Sequence, residues 1–212
     1  MELELRLERP ADRREVDNLT REAFWDVHVP GCVEHYLAQV MRSHADFVPE
    51  LDYIAVADGR IVGNIMYSKA WLDAADGETL PILTFGPLSV LPECQRRGVG
   101  SRLVEATVGL ARERGWPAIV ILGNPGNYVK FGFKNCKKRR IAMAPGRYPT
   151  CMLVLELGAG ILGTKDYLYR GSPVYEVDEA AARDFDSGFP AKESRWRPSQ
   201  EEFDMLCRSF VE

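Results

Sequence analysis

Between Pro81 and Leu122 the chain reads PILTFGPLSVLPECQRRGVGSRLVEATVGLARERGWPAIVIL. An apolar run, a turn rich in glycine and arginine, a periodic segment, a stop signal and a second apolar run follow one another without interruption. The succession predicts a β-α-β unit with an anion-binding turn at the helix entrance. In its helix, Val99, Leu103, Thr107, Leu110 and Ala111 recur at helical spacing and form a buried stripe. Arg112 and Arg114 complement the C-terminal end of the helix dipole, Gly115 falls at C′, and Pro117 prevents continuation. Gly109 inside the helix costs roughly 1 kcal/mol relative to alanine; close packing against a sheet is the expected reason. Ala118 to Leu122 is apolar without alternation, the pattern of a strand covered on both faces.

The turn itself, Gln95-Arg96-Arg97-Gly98-Val99-Gly100-Ser101, places two glycines around one residue where strand hands over to helix. Glycine lets the backbone turn tightly and approach a ligand with no Cβ in the way. The first amides of the helix lack internal partners and sit at the positive end of its dipole, so phosphate oxygens suit them. Arg96 and Arg97 add charge. The spacing is neither G-x-x-x-x-G-K-S/T nor G-x-G-x-x-G, since Leu103 occupies the third glycine's place. A nucleoside-triphosphate loop and a dinucleotide fingerprint are thereby excluded. Taken alone, the G-x-G is equally a plain tight turn.

Upstream, Leu3, Leu5 and Leu7 alternate within Glu2 to Glu8, the period of a half-buried strand ended by Arg9-Pro10. Val16, Leu19 and Ala23 give one helical face from Ala11 onward. After a break at His28 to Gly31, Val33, Tyr36, Leu37, Val40 and Met41 mark a second helix. Leu51 to Ala57 and Arg60 to Trp71 read as strands joined by an Asp58-Gly59 hairpin, and Asp73 to Thr79 as a second connection into Leu80 to Leu91. These three strands form an antiparallel meander that feeds the β-α-β unit. Downstream, Gly123 to Gly126 is a breaker cluster, Lys134 to Arg140 a basic run and Cys151 to Leu157 a strand. Gly158 to Arg170 reads as loop and Ser172 to Val177 as a short strand. Pro198 to Phe210 reads as a helix with Ser199 as N-cap and Glu202 completing a capping box.

With 212 residues, 46% of them hydrophobic and 27% charged, the chain holds material for one domain with a sizeable core. A net charge of −4 argues against a nucleic-acid partner. No stretch reaches the ~18 apolar residues of a membrane span, and MELELRLERPADRRE has no apolar region of a signal peptide. Five scattered cysteines without a C-x-x-C suit free thiols in a reducing compartment, so a cytoplasmic protein is expected.

Val90-Leu91-Pro92-x-x-Gln95-x-x-Gly98-x-Gly100-Ser101-x-Leu103 resembles the acyl-CoA-binding motif of the GNAT acetyltransferase superfamily, Q/R-x-x-G-x-G/A. Tyr128-Val129-Lys130-Phe131-Gly132-Phe133 resembles that superfamily's second signature, Y-x-K-x-G-F. More narrowly, Gly123 to Phe133 is similar to the G-D-P-x-Y-Y-x-R-F-G-F stretch of predicted bacterial acetyltransferases. Asn124 stands there for Asp and Asn127 for the first Tyr, which bears on acceptor preference. The resemblance covers about residues 1 to 157. It implies an α/β (α+β) GNAT-like fold, with a mixed, mostly antiparallel sheet flanked by helices and residues 158–212 as an extension packed on the same domain.

The resemblance further implies direct transfer of an acetyl group from acetyl-CoA to a primary amine of a small molecule or peptide, with no metal. Gln95, Arg96, Arg97, Gly98, Val99, Gly100 and Ser101 would cradle the pyrophosphate. The main chain of Leu88, Ser89 and Val90 would line the pantetheine arm, with Asn124 and Tyr128 completing the cofactor site. The central strand would splay from Ile119 to Leu122 to admit the cofactor, and Tyr128 would be the acid for the departing thiolate. A homodimer is the expectation by analogy with such folds.

The general base is not legible. Pro81 to Leu91 carries no carboxylate, and Glu93 beside the phosphate turn reads as solvated. Glu22, Asp26, His28 and Glu34 fall on the N-terminal helices that commonly border the acceptor cleft in this superfamily; each is open as a proton relay and equally as an ordinary surface group. His28, Cys32 and His35 could gather around a metal, yet Pro30-Gly31 separates His28 from the helix and no fourth ligand has suitable spacing. Cys94 beside the turn lacks an identifiable histidine partner for covalent chemistry. Lys134 to Arg140 reads as a solvated loop or a CoA-phosphate contact before a nucleic-acid patch. Tyr167, Tyr169, Tyr175 and Trp196 are open as acceptor-cleft cover or subunit contact. The competing functions are an acyl-CoA sensor without turnover and a metal-dependent hydrolase.

Overall fold

The computed structural model describes residues 2–212. Strand β1 (Glu4–Leu7) leads through a 3-10 turn at Pro10–Asp12 into α1 (Arg13–Phe24), whose Val16 and Leu19 are buried. Helix α2 (Glu34–Met41) follows, then β2 (Tyr53–Ala57), β3 (Arg60–Ala74) and β4 (Thr79–Val90). These three strands pair antiparallel as the expected meander. Asp58 and Gly59 have φ of 51° and 77°, the two left-handed residues that a tight hairpin turn between twisted strands requires. Helix α3 (Val99–Glu113) crosses over to β5 (Ala118–Leu122), which pairs parallel with β4, and its first four residues are buried.

Beyond β5 the elements are short: α4 (Pro125–Tyr128), β6 (Lys134–Asn135), β7 (Ile141–Ala142), β8 (Met152–Glu156), β9 (Tyr167–Arg170), α5 (Glu179–Asp186) and α6 (Pro198–Arg208). Among the described residues all nine strands join one sheet in the order β1-β2-β3-β4-β5-β8-β6, with β9 added to β3 and β7 to β9. The β4–β5 and β7–β9 pairs are parallel and the others antiparallel, so the fold is α/β with the mixed, mostly antiparallel sheet that the family resemblance implied. Strand β3 is long enough to take β2 along its first half and β9 along Trp71–Ala74. None of the helices among the described residues is long and apolar enough to cross a membrane.

Several local expectations are corrected. Part of the presumed loop Gly158 to Arg170 is strand β9, and the presumed strand at Ser172 to Val177 is a 3-10 turn at Pro173–Tyr175. Helix α6 is capped by Arg197 with Pro198 at its first position, and neither Ser199 nor Glu202 makes a capping box. Proline takes that place because its missing N–H is one the helix leaves unpaired anyway. The breaker cluster at Gly123 holds the start of α4, and within the basic run Arg139 pairs with Glu156 and Arg140 with Asp166.

The glycine needed for close packing lies on the sheet and not in the helix. A Cβ on Gly63 of β3 would come within 2.8 Å of Val99 Cγ1 and 3.0 Å of Leu103 Cδ1, so α3 packs directly onto that backbone. At Gly109 a Cβ would meet nothing within 4 Å, so packing on a sheet does not account for that glycine.

One buried ionic cluster ties β1, α1, α2 and β2 together. Arg42 Nη1 lies 2.7 Å from Asp17 Oδ1, and Arg42 Nη2 lies 2.7 Å from Glu8 Oε1, with all three side chains at most 4% exposed. Asp52 sits beside Glu8 and accepts from Asn64 Nδ2 at 3.0 Å. Burial first, then the hydrogen bond and charge of Glu8, push the Asp52 carboxyl up to about 9. The folded chain therefore holds a proton that the unfolded chain releases near pH 4, and stability falls as pH rises from that value towards 9. Asp52→Asn, which keeps a donor for Glu8 and an acceptor for Asn64, should gain ~1–3 kcal/mol at pH 8 and nothing at pH 4. Urea titrations at the two pH values check it; an equal effect at both would mean Asp52 is already ionised in the fold.

Candidate active site

Strand β4 stays paired with β3 from Thr79 to Val90 but meets β5 in register only at Leu83 and Ile119. Past that point the two strands part. A bulge lies in the diverging segment, where Met66 of β3 faces both Gly86 and Pro87 of β4; a bulge bends its strand and increases the local twist. A cavity of about 910 Å³ fills the opening.

At one end of the cavity lies the glycine turn. Gly98 caps α3 with φ 86° and ψ −1°, and no side chain caps the helix, so its opening amides are left for a ligand. Arg96 also adopts a left-handed φ of 57°. Gln95 Nε2 donates to Val90 O at 3.1 Å, so this side chain braces the turn against the end of β4. Leu88, Val90, Gln95, Arg96, Gly98, Val99, Gly100, Ser101, Asn124 and Tyr128 all border the cavity. Ser89 and Arg97 do not. Strand alternation turns Ser89 away from Leu88 and Val90, and its buried hydroxyl donates to Thr20 Oγ1 at 3.0 Å. Arg97 points to solvent.

The second signature forms the facing wall. Asn124 Oδ1 accepts from Gly126 N at 2.9 Å and caps α4, which carries Tyr128. The Tyr128 ring lies over the backbone of Gly123, where a Cβ would come within 2.7 Å of Tyr128 Cε2. Neither the breaker cluster nor the resemblance at Gly123 disclosed this spatial need for glycine. Phe85 and Phe133 flank the ring at centroid distances of 5.7 and 6.0 Å. Burial alone pushes the phenol up to about 12. Lys130 Nζ donates to Ser101 Oγ at 2.9 Å, joining the two signatures across the cavity.

The other end is built from α1, α2, the 3-10 turn at Pro173–Tyr175 and α6. Tyr175 donates to Gly86 O at 3.2 Å, and Leu37, Phe203, Leu206, Glu34 and Glu202 line the walls. The contribution of α6 was missed, although Phe203 and Leu206 are spaced three apart on one face of that helix. Tyr167 and Tyr169 belong to β9, and Trp196 is 65% exposed. Of the four N-terminal groups left open as proton relays, His28 and Glu34 border the cavity and bond to each other, with Nδ1 and Oε1 3.1 Å apart. Glu22 pairs with Lys192, and Asp26 is buried under backbone amides. The three histidines find separate partners: His35 lies between Cys32 and Asp186, and His44 beside Asp46. Cys94 is buried on the cavity wall beside the turn.

Comparison with known proteins agrees with this geometry. The model of the acetyltransferase (GNAT) family matches residues 19–133, a span that contains both signatures. The uncharacterized N-acetyltransferase YjhQ of Escherichia coli (strain K12) is 33% identical over 102 residues, 48% of this chain and 54% of YjhQ, so the chain spans about half of that relative. The uncharacterized N-acetyltransferase YhbS of the same organism is 29% identical over 131 residues, 61% of this chain and 72% of YhbS. The fold is similar to the crystal structure of E. coli YhbS in complex with CoA, with a TM-score of 0.71 and 24% identity, covering 82% of this chain and 92% of that one. A GNAT family acetyltransferase from Brucella melitensis in complex with acetyl-CoA gives a TM-score of 0.66 at 25% identity, covering 82% of this chain and 98% of that one. With more than half of its length matching the family model, the chain belongs to the GNAT acetyltransferase family.

Proposed function

We propose that the protein transfers an acetyl group from acetyl-CoA to a primary amine by direct attack within the cavity between β4 and β5. The observation that carries this reading is the continuity of one cavity from the uncapped amides of α3, past the Tyr128 ring, to an apolar end bearing Glu34 and Glu202. The amides after Gly98 suit a pyrophosphate, and Leu88 and Val90 suit the arm that carries the thioester. The CoA and acetyl-CoA bound to the two similar structures support the same donor. At the far end, Phe24, Val27, Leu37, Phe203 and Leu206 favour an amine borne on an apolar body, and the two carboxyl groups favour its cationic form.

An alkylamine with a pKa near 10 is ~99.9% protonated at neutral pH, so a proton must leave before nitrogen can attack. Sulfur then departs with negative charge. A phenol held at about 12 stays protonated across the working range and donates a hydrogen bond to that sulfur. Complete transfer to a thiolate of pKa about 8.5 would be uphill by about 5 kcal/mol, so Tyr128 stabilises the charge by hydrogen bonding.

The test is free-thiol release from acetyl-CoA with a panel of arylalkylamines, polyamines, aminoglycosides and lysine peptides. Release with at least one amine is expected. CoA-induced thermal stabilisation with no release from any amine would replace this reading by that of an acyl-CoA sensor. Tyr128→Phe should lower kcat about 10²-fold with CoA-induced stabilisation unchanged, and an unaltered kcat would remove Tyr128 from the role of hydrogen-bond donor to the departing sulfur. Because the phenol ionises only at about 12, the wild-type rate should show no Tyr128-dependent fall up to about pH 11.

A further inference from the structure

We propose that His28, oriented by Glu34, takes the proton from the incoming ammonium; the assignment rests on the acetyl-transfer reading of the same cavity. His28 stands in the break between α1 and α2, on the cavity wall, with its side chain 33% exposed. Its Nδ1 is 3.1 Å from Glu34 Oε1. An ionised carboxylate can only accept, so this contact favours the tautomer with its proton on Nδ1, which in the neutral ring leaves Nε2 as an acceptor. Glu34 is itself fixed, because its Oε2 accepts from Val33 N at 3.0 Å.

The ring is held more firmly than a surface histidine needs. Phe203 of α6 stacks on it at 4.2 Å between centroids and 20° between planes, and Phe24 of α1 lies tilted against it at 5.5 Å. The loop carrying His28 is pinned by Asp26, which sits at φ 61°. Asp26 Oδ1 accepts from Gly31 N at 2.9 Å and from Arg195 N at 3.1 Å, and its carbonyl accepts from Gln200 Nε2 at 3.1 Å. A left-handed φ at a non-glycine residue persists only where its surroundings impose it. Here the imposed turn aims His28 at the cavity.

The remaining ionisable groups on the cavity wall are poorer proton acceptors. Arg96 and Lys130 are cations, and Tyr128 and Tyr175 are held protonated by burial. Cys94 lies at the phosphate end, and Glu202 stands on the exposed surface of α6 without a partner that would orient it. In the assigned step an N–H bond of the ammonium breaks and the proton moves to His28 Nε2. The freed lone pair forms the C–N bond to the thioester carbon. The C–S bond breaks with its electron pair on sulfur, and the second nitrogen proton ends on that sulfur. Imidazolium returns its proton to solvent, so amide, CoA thiol and one proton are the products.

The test uses the full chain, acetyl-CoA and whichever of phenethylamine, spermidine, kanamycin or a lysine peptide the wild type acetylates fastest. His28→Gln should lower kcat/KM for the amine about 10²-fold or more and remove the acid-side limb of its pH profile. Glu34→Gln, a change at a positioning residue, should lower it about tenfold and displace that limb. CoA-induced stabilisation equal to wild type confirms that both variants are folded. Independently of turnover, long-range 1H–15N correlations should find the His28 proton on Nδ1 in wild type, with that preference lost in Glu34→Ala. An unaltered rate and pH profile in His28→Gln, or a proton on Nε2 in wild type, would overturn the assignment and leave the acetyl-transfer reading standing. Absence of turnover by the wild type with all four amines would overturn both.

Discussion

Asp186→Ala should destabilise the protein by about 3–5 kcal/mol, the cost of leaving a buried charge without its partner. Asp186 ends α5 and accepts from Arg21 Nε at 2.5 Å and Arg21 Nη2 at 3.1 Å, while His35 Nε2 lies 3.0 Å from its Oδ1. The Arg21 side chain is 2% exposed, with Trp25 at 4.4 Å and Phe189 at 5.5 Å over its guanidinium, so water cannot replace the lost carboxylate without opening that packing. His35 is wholly buried, and burial holds it below the ordinary imidazole range despite the opposing charge of Asp186. The unfolded chain thus takes up that proton first as pH falls, so wild-type stability declines below about pH 6.5. For a chain of this length the substitution corresponds to a fall in Tm on the order of 10 °C. Asp186→Asn keeps the shape without the charge and should fall between. Denaturant titration with hydrogen exchange reads the outcome: exchange should rise first in α1, α2 and α5, and a loss below ~1 kcal/mol would mean that the guanidinium finds another partner.

That contact also explains why the sequence disclosed some parts of the molecule and concealed others. The meander and the β-α-β unit were legible because each is local: Asp58-Gly59 sits between two strand-patterned runs, and Val99 to Ala111 repeats over enough turns to establish a period. Strand β9 has four residues, too few to show alternation, and owes its existence to the far end of β3, which it meets through Trp71 and Arg170. Helix α5 offers little apolar stripe of its own. It is placed by Asp186 reaching Arg21 and by Phe185 and Phe189 against His35, contacts that span about 150 positions of chain. The two glycines divide the same way: Gly109 was noticed because it interrupts a helical pattern, whereas Gly63 matters only once α3 lies on it.

The glycine-turn end of the cavity was readable for the reason the meander was. Gln95 to Ser101 is a continuous turn whose shape is set by its own backbone, and ten of the twelve residues named for the cofactor border the cavity. The two exceptions, Ser89 and Arg97, each lie between two lining residues, with Ser89 turned to Thr20 and Arg97 to solvent. The other end is assembled from Phe24, His28, Glu34, Tyr175 and Phe203, which share no spacing. Sequence reasoning could name His28 and Glu34 among four possible relays, but only the bend imposed at Asp26 brings those two together.

Gly98→Glu should abolish CoA-induced stabilisation while leaving the protein folded without ligand. The backbone at Gly98 is left-handed, with φ 86°, and a Cβ there would meet nothing within 4 Å, so a side chain extends into open space beside the cavity. The local conformational cost for a non-glycine residue is ~1–2 kcal/mol, affecting free and bound protein alike. The ligand-specific cost is electrostatic and steric. A carboxylate held at the entrance of α3 occupies the positive end of the helix dipole, can accept from the same free amides and repels a pyrophosphate. If wild-type protein gains about 2.7 kcal/mol at a CoA concentration of 100 Kd, a hundredfold weaker affinity leaves about 0.4 kcal/mol at that concentration. Gly98→Asn separates the two causes, since asparagine tolerates the left-handed region and adds no charge. It should retain most of the CoA-induced shift, whereas the glutamate variant retains at most that small remainder. Thermal melts of the three proteins with and without CoA read both terms. A full CoA-induced shift in Gly98→Glu would place the pyrophosphate elsewhere and remove the α3 entrance from the donor site.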